Sequence, residues 1–213
     1  EELGPKDDEG RIINGESADT DDYPMAGGML MAGTTDMWGG SDLRTFVCSS
    51  SLIAPDVVLL AAHCLDDYAF TFGMGEIEDK EVWWTRQSDL TSWDGSQQNP
   101  VLPNDAIPAW DWVIHPDFSM EDFGIGITQN DDIALIFLDS PVLDIDHAFL
   151  PTDNLGSQLE EGMEVAVVGW GQQIATGMWD APPAGSYATK QMGVSSIDEL
   201  GSHEFLVGAL ESD

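Results

Sequence analysis

Nine short apolar runs alternate with turn residues along this chain, and no stretch carries the 3.6-residue repeat of a long helix. The runs are AGGMLMA (26–32), TFVCSSSLI (45–53), DVVLLAA (56–62), AFTFGM (69–74), IPAWDWVIH (107–115), DIALIFL (132–138), MEVAVVGWG (163–171), KQMGVSSI (190–197) and HEFLVGA (203–209). Their length, β-branched content and spacing suit an all-β sandwich or barrel assembly. The segment 76–104 holds Trp83, Trp84, Trp93, Pro100 and Pro103. It is expected to form a strand followed by a long surface excursion, with its tryptophans packed over the sheet wall in preference to forming a binding face. Residues 171–188 make a second Gly/Pro-rich loop.

Charge narrows the partners. Six Lys and Arg stand against 40 Asp and Glu, a formal charge of -34, and the acids are scattered along the chain. Such a field repels phosphate backbones and anionic lipid, which argues against nucleic-acid and membrane-surface binding and favours neutral or cationic partners. A uniformly acidic surface also serves simply to hold water and cations. No apolar run approaches the ~20 residues that span a bilayer. The opening EELGPKDDEG lacks the basic and apolar regions of a signal peptide and reads as the start of a mature or trimmed chain.

The run VLLAAHC ends on His63 with Cys64 beside it. Taken alone, a histidine after a buried strand is a hydrogen-bonded turn or core residue. The two cysteines, Cys48 and Cys64, lack any CxxC or HExxH spacing, which argues against zinc. A pair this close can form a disulfide worth ~3 kcal/mol in the chain-entropy model, in an oxidising compartment.

The order of the motifs goes further. RIING (11–15), YPMAGGML (23–30), CSSSLIAPDVVLLAAHC (48–64), VIHPDF (113–118), NDDIALIFLDSPV (130–142), LP (150–151) and VVGWG (167–171) together resemble the trypsin-like serine protease family over nearly all of residues 11–213. The resemblance implies two antiparallel six-stranded β-barrels with the second incomplete in this chain. It divides the chain into an activation arm (1–11), an N-terminal barrel bearing His63 and Asp132 (12–140), and a partial C-terminal barrel (141–213). His63 matches the family's general base and Asp132 the carboxylate that orients it, with Asp131 the partner if the register slips by one. Cys64 matches the half-cystine that pairs with Cys48. Cleavage between Arg11 and Ile12 would free the Ile12 ammonium that switches such enzymes on. With the arm attached, the chain resembles a zymogen.

The same resemblance marks departures. The string GDSGGP, which carries the family's nucleophile, does not occur, and Ser195 and Ser196 sit in a strand-like run without a Gly-rich turn. The last residues resemble what the family, bacterial members in particular, carries just before that string. The expected activity is thus a secreted or periplasmic serine endopeptidase acting on protein or peptide substrate, seen as an uncleaved portion without its serine. Its partners would be an activating protease and a separate C-terminal fragment supplying the serine. The alternative is a non-enzymatic relative acting as a binding or scaffold protein. No cofactor is implied. Calcium would have the acidic stretch from Met74 to Asp79 as its candidate loop. The serines of CSSSLI replace glycines common in the family, altering backbone approach near the leaving-group side.

Overall fold

The computed structural model describes residues 15–35, 41–71, 75–95, 99–119, 131–150, 158–171, 187–201 and 205–207. Six strands close into an antiparallel barrel in the order β2-β3-β4-β7-β6-β5. They are β2 (Ala26–Thr35), β3 (Ser41–Ala54), β4 (Val57–Leu60), β5 (Ile77–Thr85), β6 (Ile107–Ile114) and β7 (Ala134–Leu138). A second, four-stranded sheet is built around β9 (Lys190–Leu200), which pairs with β1 (Glu16–Ser17), β8 (Glu164–Trp170) and β10 (Phe205–Val207). The all-β expectation therefore holds, as one closed barrel and one partial sheet.

Strand β2 joins the two halves because both of its faces are covered. Successive strand side chains point to opposite faces, so Met29 and Met31 enter the barrel core while Ala26 and Leu30 enter a second apolar cluster. That cluster also contains Phe46, Leu90, Trp93, Trp170 and Ala188, from the outer barrel wall, the excursion and the second sheet. Gly27 is required here: a Cβ at this position would lie 2.0 Å from the Trp84 indole nitrogen. Trp84 of β5 and Trp93 of the excursion are each 1% exposed, so these two tryptophans serve packing.

One local expectation is corrected. The run 69–74 does not open as a strand: Ala69 and Phe70 close a helical turn, Asp67–Phe70, and residues 72–74 lie outside the described residues. Of the acidic stretch offered as a candidate calcium loop, Met74 lies outside the described residues, Gly75 and Glu76 carry no regular structure, and Ile77, Glu78 and Asp79 begin β5 with Glu78 facing Thr34 across the ladder. Next along β5, an ammonium is held by the turn that follows His63. Lys80 donates to the Leu65 carbonyl at 2.8 Å, pairs with the Asp67 carboxylate and sits 5.5 Å from the Trp112 ring centre.

A buried lysine also anchors the second sheet. Lys190 is 1% exposed, and its ammonium donates to the carbonyls of Asp22 and Tyr23 and lies 5.4 Å from the Trp170 ring centre. Its pKa is lowered by burial, against the raising influence of Asp22, with Arg86 adding to the depression and Asp21 opposing it.

Candidate active site

Strand register brings His63 and Asp132 together. Leu60, the last residue of β4, lies opposite Ala134, the first of β7. The chain leaves β4 and enters β7 at the same end of the barrel, so residues just beyond Leu60 meet those just before Ala134. Beyond Leu60 the backbone winds into a 3₁₀ turn, Ala62–Cys64. Ala62 (0% exposed) and Cys64 (1%) face inward on either side of His63. Cys64 is bonded to Cys48 of β3, with Cα atoms 6.2 Å apart. The turn is thus held by core packing on one side and a covalent link on the other, with the imidazole left 39% exposed.

Asp132 grips this turn twice. Its Oδ1 accepts the His63 main-chain N–H at 2.8 Å, and its Oδ2 lies 2.7 Å from His63 Nδ1. Burial pushes the carboxyl pKa up. The hydrogen bonds from the His63 ring and main chain, the ring's charge and the Ala62 amide outweigh this, and Asp132 falls below the ordinary aspartate value. It is therefore ionised at neutral pH and can only accept. Nδ1 must then be the protonated nitrogen, which makes Nε2 the acceptor in the neutral imidazole.

Asp131, the alternative partner, has φ 51 and is exposed. That left-handed geometry, tolerated by aspartate, precedes the residue that faces His63. With His115 and Asp117 it forms a group whose ligand atoms lie within 4.8 Å of one another, all three residues exposed or nearly so. Nothing else about that group marks it as a metal site. Ser195 and Ser196 lie in β9, paired with Val165 and Glu164. Arg11 and Ile12 lie outside the described residues.

Sequence reasoning missed the role of the serines beside Cys48. The Ser50 hydroxyl donates to the Gly27 carbonyl at 2.9 Å within the barrel. The Ser49 hydroxyl instead crosses to the second sheet, accepting the Trp170 N–H at 2.8 Å and donating to the Trp170 carbonyl at 3.2 Å. The unusual CSSS spelling was the signal, but its direction depends on tertiary placement.

A closed six-stranded barrel joined to a second antiparallel sheet, with a His–Asp pair at the barrel's rim, is a trypsin-like architecture. The sequence model described as Trypsin matches residues 12–196, and the chain belongs to that family. Over 175 residues it is 29% identical to phenoloxidase-activating factor 3 of Holotrichia diomphalia, an alignment covering 80% of this chain and 45% of that protein. Among solved structures, one described as HL collagenase superposes with a TM-score of 0.56 at 20% identity, covering 88% of this chain and 64% of its own. Another, described as GrC, gives 0.53 at 20% identity, covering 88% and 66%. The chain thus spans less than half the length of that curated relative and under two thirds to about two thirds of these structures.

Proposed function

We propose that this chain is the His–Asp portion of a serine endopeptidase. His63 takes a proton from a serine hydroxyl as that hydroxyl attacks a peptide carbonyl, and returns it to the leaving amine. Asp132 orients the ring and stabilises the imidazolium. The observation that carries this reading is the double contact of Asp132 on His63, which fixes both the tautomer and the direction of the ring. The serine is supplied by a polypeptide segment outside these 213 residues, a reading supported by the absence of the string GDSGGP from their sequence. Cleavage between Arg11 and Ile12 activates the enzyme. The substrate is protein or peptide, and similarity to a factor named for activating phenoloxidase fits a place among proteins that act on other proteins. The Cys48–Cys64 disulfide fits an extracytoplasmic, oxidising location.

The test is a fluorophosphonate probe applied to the naturally produced protein before and after nicking at Arg11, with intact masses measured in parallel. Labelling after nicking, on a peptide outside residues 1–213 that co-purifies with this chain, is the expected result. A sole 213-residue species that never labels would instead favour a binding or scaffold role.

A further inference from the structure

An apolar cluster of Leu30, Phe46, Leu90, Trp93 and Trp170 joins the barrel to the second sheet, and beside it the Lys190 N–H donates to the Ser88 carbonyl and the Leu90 N–H to the Ala188 carbonyl, both at 2.7 Å. Apolar packing sets distance well but direction poorly. At Ser49 a side chain of β3 itself makes a directional contact. One hydroxyl serves both main-chain groups of Trp170, as acceptor for its N–H and donor to its carbonyl, in the manner of a residue on a neighbouring strand. The approach depends on Gly169, where a Cβ would fall 2.6 Å from Ser49 Oγ and 3.1 Å from its Cβ. Trp170 is itself fixed by its indole N–H, which donates to the Ser88 carbonyl at 3.1 Å.

The position of Ser49 in the chain gives this contact its reach. Its neighbour Cys48 is bonded to Cys64, and the neighbour of Cys64 is His63. A short, mostly covalent path therefore runs from the second sheet through Ser49, Cys48 and Cys64 to the imidazole. Ser50, one residue further on, stays within the barrel and offers no such path.

We propose that Ser49 is a positioning residue, whose hydroxyl pins the second sheet to β3 and, through the Cys48–Cys64 bond, fixes His63 relative to that sheet. This deepens the peptidase reading and in its kinetic part rests on it. A nucleophile carried on the second half must meet His63 at hydrogen-bond range, so the alignment of the two halves becomes the alignment of the reacting groups.

Amide exchange on the 213-residue chain tests the physical link without any activity, using Ser49→Gly and Ser49→Ala. Loss of the acceptor should speed exchange about fivefold at Trp170 and about twofold or more at His63, with Ile136 in the barrel core unchanged. A response at Trp170 alone, equal responses at all three amides, or none would overturn the proposal. In the nicked, serine-bearing protein, Ser49→Gly should lower kcat about tenfold with KM little changed. An unaltered kcat would reduce Ser49 to a structural staple and overturn the positioning role. A protein that shows no activity even before substitution would count against the peptidase reading, and the exchange result alone would then decide on Ser49.

Discussion

Replacing Asp132 with asparagine isolates the contact on which the proposed chemistry depends. The carboxylate accepts two donors from one residue, the His63 main-chain N–H at 2.8 Å and the ring Nδ1–H at 2.7 Å. An amide offers a single acceptor oxygen, so one donor must face its NH₂ group. If that donor is the ring, the ring proton is driven to Nε2. Hydrogen bonds to a charged group are worth about 1.5–3 kcal/mol. With the ring 39% and the carboxylate 22% exposed, solvent screening and rehydration cut the loss of one such bond to about 1–2 kcal/mol. Because the folded pKa of Asp132 lies below its ordinary value of 3.8, its stabilisation is present above that value and is lost as pH falls through the lower folded one. Urea unfolding of the wild type and Asp132→Asn at a series of pH values should therefore show a gap of about 1–2 kcal/mol at neutral pH that narrows on acidification below about pH 4. A gap that stays constant down to pH 2, or none at pH 7, would refute the reasoning.

Three further outcomes follow from the packing. Reducing the Cys48–Cys64 bond, which joins residues 16 apart, should cost about 3 kcal/mol in calorimetry or denaturant unfolding. Gly27→Ala forces a methyl against the Trp84 ring, whose nearest atoms stand 2.0, 2.3 and 2.8 Å from the new Cβ, and should lower stability by about 1–3 kcal/mol in the same assay. Lys80→Met leaves the Asp67 carboxylate and the Leu65 carbonyl without their ammonium. It should lose about 1–2 kcal/mol, and a change below about 0.5 kcal/mol would show that water replaces the ammonium freely.

Much of this site is legible in the sequence because its parts are local. The apolar run ending in AAHC places His63 just beyond a strand, and the run from Ile133 to Leu138 places Asp132 just before another. Only the pairing of those strands brings the residues together, and Leu60 opposite Ala134 is a matter of register. Choosing between Asp131 and Asp132 depends on a one-residue shift that period-2 alternation constrains but does not name. The stretch 69–74 misleads because a few apolar residues fit a helical turn as well as a strand. Glu78 and Asp79 are adjacent exposed acids with the composition of a loop, yet they lie in β5. The pairing of Glu16 and Ser17 with Met192 and Gln191 leaves no local trace at all.

That last pairing bears on how the chain is made. Glu16 and Met192 stand 176 positions apart (192 less 16), so strand β1 leaves the ribosome with its partner still untranslated. At about 5–20 residues per second the interval is roughly 9–35 s, whereas β2 and β3 are translated much closer together. The segment at residues 16–17 must wait until residues 191–192 are made, so a nascent chain stalled before residue 190 should remain open to proteolysis near residue 16 even if its barrel has closed.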